Sequence, residues 1–171
     1  IGAEPSCCLQ AAEDRLRGIR RLERDHHLTL LCRDVAEIAT YAKVTNDAFR
    51  LIKTLTPGPY TFILPATRET PRRLQDEKRR TVGLRIVAHP FIHDLLESQS
   101  PLLATTAIDD ELVLPYADPE DIVEDLGHAV DAVFDAGAVG IEMTTIIDLT
   151  GPAPVLLRQG LGDVSHVSEL S

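Results

Sequence analysis

Residues 56–87 read TPGPYTFILPATRETPRRLQDEKRRTVGLRIV, and the two ends of this stretch set the fold. Pro57–Gly58–Pro59 is a turn that feeds an apolar run, Tyr60–Ala66, with the length and composition of a buried strand. Thr81–Val87 alternates: Val82, Leu84 and Ile86 share one face, and Thr81, Gly83 and Arg85 share the other. A strand patterned this way packs one face on a core and keeps the other for polar work. Between the two strands lies a strongly basic segment. Over Arg68–Arg85 there are seven Lys/Arg against three acids. Thr70–Pro71 reads as an N-cap followed by proline at the first helical position, which predicts a basic helix over PRRLQDEKRR. Its cations fit either a solvated helix face or a rim that attracts phosphates.

Outward from this stretch, helices and strands interleave. Ala11–Leu22 carries an apolar stripe at Ala12, Leu16 and Ile19 with arginines opposite. Leu28–Cys32 is a short apolar strand, and Asp34 caps a helix running to about Lys43. Asn46 caps another that stops before Pro57. A helix around Pro90–Ser98 precedes the strand PLLATTAI (101–108), in which Thr105 and Thr106 are the only hydroxyls. Asp118–Pro119–Glu120–Asp121 is a strong helix start. TTIIDLT (144–150) and PVLLRQGLGD (154–163) follow as strands. With several strands crowded near the C-terminal end, the pattern predicts one mixed α/β domain over residues 1–171.

The chain has 171 residues, 44% of them hydrophobic and 26% charged, with a formal charge of −10. That is an ordinary globular composition. No apolar run approaches the roughly 20 residues of a membrane span, so no membrane association is expected. Three cysteines, two of them vicinal, make a poor disulfide framework and predict a reducing, cytoplasmic setting. Charge is divided. Residues 1–85 hold 16 Lys/Arg against 11 acids, while residues 86–171 hold a single cation, Arg158, against 16 acids. This suggests either a surface split by sign, its basic side open to an anion, or simply a solvated acidic helical face.

Most motifs of known chemistry are absent: there is no Walker loop, no dinucleotide fingerprint and no nucleophile elbow. His89 and His93 stand four apart but lack a third ligand at fitting spacing, so no metal site is expected. Cys32 ends an apolar strand, the setting of an inert thiol. What remains is a set of arginines and threonines on strands. Arg85 shares a face with Thr81, Arg158 lies on an otherwise apolar strand, and Thr144–Thr145 opens another. A guanidinium emerging from a sheet beside hydroxyls suits bidentate recognition of carboxylate or phosphate. An internal pair, such as Arg158 with Asp148 or Asp163, fits the same pattern.

Six blocks, HHLTLLCRD (26–34), AFRLIKTLTPGPYTFILPAT (48–67), PRRL (71–74), KRRTVGLRI (78–86) followed by AHP (88–90), TTIIDLT (144–150) and VLLRQGLGD (155–163), together resemble the YrdC/YciO family, most closely its YciO branch. The resemblance runs from about Arg15 to Asp163. It implies a single twisted mixed-sheet domain, α/β in the mixed α+β sense, with a concave, basic cavity. Ile1–Gly2 is similar to the end of the family's N-terminal strand, whose earlier part is expected to be missing. Members similar to threonylcarbamoyl-AMP synthases condense threonine, bicarbonate and ATP, releasing pyrophosphate, for the t6A modification of tRNA. Double-stranded RNA binding is also attributed to the domain. The resemblance therefore implies ATP as a substrate with magnesium, no tightly bound cofactor, and tRNA or double-stranded RNA as a partner. It places Arg20, Thr81, Thr105, Thr106 and Arg158 around the nucleotide, and His26, Arg85 and Thr144 around threonine. Arg72, Arg73, Lys78, Arg79 and Arg80 are the candidate RNA contacts.

Three departures bear on activity. Arg20 stands for the lysine of the synthases' K-x-R pair, but Leu22 replaces its arginine. Their S-x-N element reads ATTAI (104–108), without the asparagine, and Met143 replaces a proline. Lost charge at the triphosphate end has to be made good by other preorganised groups. Three readings follow: a synthase-like protein binding ATP and threonine, an RNA-binding module without chemistry, or a fragment or divergent paralogue with neither activity.

Overall fold

A computed structural model of the protein describes residues 5–23, 26–99, 101–109, 113–138 and 140–165. Ile1–Gly2 lies outside them. The elements in order are α1 (Pro5–Arg20), β1 (Thr29–Leu31), α2 (Val35–Tyr41), α3 (Asn46–Leu55), β2 (Tyr60–Pro65), β3 (Thr81–Arg85), α4 (Pro90–Ser98), β4 (Leu102–Ala104), α5 (Pro119–Leu126), β5 (Thr145–Asp148) and β6 (Val155–Arg158). The strands form one mixed sheet in the order β4-β1-β3-β2-β5-β6. β1–β3 and β2–β5 pair parallel, and β1–β4, β2–β3 and β5–β6 pair antiparallel. This is the mixed α/β architecture that the alternation of elements predicted.

Pleating sorts the side chains. Leu30, Phe62, Leu64, Leu84 and Ile147 point to one face and are wholly buried. They pack with Ile38 of α2 and Leu51 and Ile52 of α3. Each such burial is worth about 1.5–3 kcal/mol. The opposite face carries Thr29, Thr61, Ile63, Gly83, Arg85 and Asp148. A Cβ on Gly83 would stand 3.5 Å from Ile63 Cδ1 and 3.6 Å from both Thr29 Oγ1 and Thr61 Cγ2, so these side chains share its side of the sheet. At one end of the sheet, α1 packs on β4. At the other, β6 pairs with β5 and leaves Val155, Leu156 and Leu157 exposed by 53%, 39% and 52%.

The helix caps act largely as read. Asp34 accepts from the Glu37 N–H at 2.8 Å, and Glu37 reaches back to the Arg33 N–H at 2.7 Å. Asp118 accepts from the Glu120 N–H with Pro119 at the first helical position. For α3 the cap is Thr45, one residue earlier than Asn46.

The basic helix does not form. PRRLQDEKRR holds only a 3₁₀ turn at Arg72–Leu74 and a second turn after Asp76. Local polar side chains outbid the helical ladder. The Thr70 hydroxyl donates to the Tyr41 carbonyl at 2.5 Å instead of capping, and the Gln75 amide returns to the Thr70 carbonyl at 2.7 Å. Asp76 Oδ1 accepts from the N–H groups of Lys78 and Arg79 at 3.0 and 2.5 Å. Arg80 then takes a left-handed φ of 52° to turn the chain into β3. Among the described residues no helix is long and apolar enough to cross a membrane.

Candidate functional site

Two groups of predicted residues meet at opposite ends of the open sheet face. The first gathers where β3 ends. Arg85 is its last residue, half-buried, and its Nε is buried without a hydrogen-bond partner. It forms no ion pair among the described residues, and burial pushes its pKa below the ordinary guanidinium value. The β2–β3 register pairs Phe62 with Leu84, which sets Thr61 beside Arg85 one step on. The Thr61 and Thr144 hydroxyls are 3.0 Å apart. β5 pairs Ile146 with Arg158. Arg85 and Arg158 thus stand three strand spacings apart, about 14 Å between backbones. Long guanidinium arms can bracket a ligand across that distance.

Arg158 answers the question of an internal pair. Among the described residues it forms no ion pair, with Asp148, Asp163 or any other acid. Its Nε and one terminal nitrogen donate to the Thr144 carbonyl at 3.1 and 2.9 Å, with the Thr144 hydroxyl at 3.3 Å. The strand therefore begins at Thr145, not Thr144. Thr145 is buried, donates to the Gly162 carbonyl at 2.9 Å and accepts from the Gly160 N–H at 3.0 Å. One threonine of the pair faces Arg158 and the other fastens the loop behind it.

The second group lies at the Thr81 end. β4 stops at Ala104, so Thr105 and Thr106 follow the strand. His26 Nε2 is 3.2 Å from Thr105 Oγ1. Arg17 fixes the loop carrying His26 by donating to the carbonyls of Glu23 and His26 at 2.7 and 3.1 Å. Arg20 is buried and donates to the carbonyls of Ile108 at 2.7 Å and Thr106 at 3.4 Å. Leu22 packs against the core. His26, which the resemblance grouped with Arg85 and Thr144, stands here with Thr105, while Arg158, which it grouped with Arg20, Thr105 and Thr106, stands at the Arg85 end.

The basic segment splits in the same way. Arg73 is engaged by Asp14 and by Glu13 at 3.7 Å, and Arg79 by Asp148 at 2.6 Å. Arg72, Lys78 and Arg80 are exposed and form no ion pair among the described residues. Asp148 is buried, which disfavours its charge. The Thr150 hydroxyl, Arg79 and the Thr150 N–H outweigh that penalty and hold its carboxyl below the usual range. A depressed folded-state pKa adds stability that is complete above the unfolded value, about 3.9, and is lost as pH falls through the folded value. Asp148→Asn should therefore cost about 1.5–3 kcal/mol at neutral pH. Melting curves of the two proteins should converge on acidification below the ordinary carboxylate range.

Sequence reasoning passed over Thr61 and Thr29, which flank the Gly83 it had placed on this face. Hydroxyls at alternate positions of otherwise apolar strands mark an open face, but only the register shows that they adjoin Arg85.

Against this geometry, the model of the Sua5/YciO/YrdC family, described as telomere recombination, matches residues 6–160. The chain belongs to this family. YciO of Escherichia coli is 46% identical over 154 residues, covering 90% of this chain and 75% of that protein. Its crystal structure matches with a TM-score of 0.85 at 44% identity, over 92% of this chain and 77% of that one. The threonylcarbamoyl-AMP synthase of Pyrococcus abyssi is 31% identical over 140 residues, 80% of this chain and 40% of the enzyme. The crystal structure of P. abyssi Sua5 complexed with L-threonine matches at a TM-score of 0.83 and 26% identity, over 94% of this chain and 47% of that one. The match to this Sua5/YciO/YrdC chain thus spans less than half the length of the Sua5 protein. Within the family, the likeness is stronger to YciO than to this synthase.

Proposed function

We propose that the open sheet face binds L-threonine through Arg85 and an adenine nucleotide through Arg158, in chemistry of the threonylcarbamoyl-AMP synthase type. The observation that carries this is Arg85 itself. A partly buried guanidinium with no carboxylate partner costs stability unless a ligand anion completes it. An amino-acid carboxylate matches its fork, and Thr61 and Thr144 supply hydroxyls alongside. A member of the same family has been crystallised with L-threonine.

The triphosphate end is the less provided one. Arg20 donates Nε and one terminal nitrogen to carbonyls, and Leu22, packed against the core, carries no charge to neutralise phosphate. Magnesium carried in with ATP would supply the missing positive charge there. Calorimetry with ATP–magnesium, with and without threonine and bicarbonate, tests the reading. Threonine and nucleotide should each tighten the other's binding, and absence of threonine binding would defeat it. Arg158→Ala removes hydrogen bonds to the Thr144 carbonyl and hydroxyl and to Met143 Sδ, and breaks no ion pair among the described residues. It should cost about 1 kcal/mol in stability while weakening ATP binding at least about tenfold.

A second reading, RNA binding, is favoured by the unengaged Arg72, Lys78 and Arg80. Affinity of that origin would fall steeply with salt and drop when these three are changed to glutamine.

A further inference from the structure

On the core side of the sheet, a cavity of about 590 Å³ opens beyond the ends of β1 and β3. These strands are parallel, and their carboxyl ends are where open α/β sheets form ligand crevices. The cavity is within the size range of small-molecule sites. Its floor is apolar, made by Val35, Pro57, Ile86, Val87 and Leu96. Cys32 adds to the floor: burial pushes its thiol pKa well up, so it stays neutral.

The rim has the opposite character. Arg33, Lys53, His89 and His93 stand around it, with Asp34 the one acid. Asp34 is occupied, capping α2 through one oxygen and facing Arg33 Nε at 3.7 Å through the other. Lys53 forms no ion pair among the described residues. α4 also begins at this rim. His89 gives it no side-chain cap, Pro90 takes the first position, and the first turn holds no acid. Its leading N–H groups thus lack a capping side chain and present the positive end of the helix dipole. Apolar floor, basic rim and uncapped helix start converge on one chemistry.

We propose that this cavity is a second ligand site, for a small organic anion with an apolar body, separate from the face that carries Arg85 and Arg158. The body lies over Ile86 and Leu96, and a carboxylate or phosphate head meets Lys53, Arg33 and the start of α4.

The test is amide NMR titration of the full chain with 4-phenylbutyrate, its neutral amide and phenyl phosphate. At least one anion should give saturable shifts confined to residues 32–35, 53–57 and 86–96, and should bind at least about tenfold more tightly than the amide. Whichever anion binds more tightly identifies the head group. Arg33→Gln with Lys53→Gln should remove that preference while leaving the amide's affinity unchanged. Because neither residue lies on the open face, threonine calorimetry of this variant should match wild type, which also shows that it is folded. Equal binding of acid and amide, shifts outside the cavity, or no saturable shift would overturn the proposal.

Discussion

Arg85→Gln should leave the melting temperature of the ligand-free protein unchanged or raise it, while weakening threonine binding about 30-fold or more. The two effects have one cause. Arg85 is held half-buried with its Nε unsatisfied and its ionisation disfavoured by burial. An uncompensated cation in such a place opposes folding, and a neutral side chain relieves it. Binding is the reverse case, because losing one partner of a desolvated charge pair costs about 2 kcal/mol or more, which sets the affinity change. Arg85→Lys adds a second comparison: the charge remains but the fork is lost, so binding should still weaken. Thermal melts and threonine calorimetry on the three proteins read both quantities. A clear loss of ligand-free stability in Arg85→Gln would mean that Arg85 serves the fold.

The second large effect is expected at Gly160. A Cβ there would stand 2.1 Å from the Met143 carbonyl oxygen and 2.7 Å from the Thr144 carbonyl carbon. These are backbone atoms and cannot swing aside. Gly160→Ala must push the loop off β5, breaking the bond between its own N–H and the Thr145 hydroxyl and the 3.0 Å bond from the Leu161 N–H to the Met143 carbonyl. Overpacking of this kind costs about 1–3 kcal/mol. Because the same step displaces the carbonyl that holds Arg158, nucleotide affinity should fall with stability. Gly151→Ala is the control, since its nearest neighbour would be 3.8 Å away. A denaturant midpoint unchanged in Gly160→Ala but shifted in Gly151→Ala would contradict this account.

How far the sequence reached depended on whether the deciding interaction was local. Asp34 and Asp118–Pro119 announce α2 and α5 because a cap and its target lie within three residues. The alternation in Thr81–Arg85 announces an open face because pleat is a property of one strand. The basic segment misled for the opposite reason. Thr70 has the credentials of a cap, yet its hydroxyl reaches Tyr41, 29 residues away in sequence. Arg79 and Arg73 looked like free cations because Asp148 and Asp14 are remote in the chain. Arg158 invited a search for a carboxylate, and its partner is a backbone carbonyl, which every residue has and no pattern marks. Thr61 was legible as a hydroxyl in an apolar strand, but its place beside Arg85 required the register of two antiparallel strands.

β6 carries a further consequence, for how the protein behaves in a crowded tube. Among the described residues β6 is an outer strand, and a row of unpaired amides and carbonyls is a template for another strand; Val155, Leu156 and Leu157 make this one sticky as well. Lysines commonly protect such edges, yet the only basic side chain on β6, Arg158, is turned back onto Thr144. Association at high concentration is expected to start at this margin. A single lysine at Leu156 is the economical remedy, since it places charge on the rim without touching the face that holds Arg85.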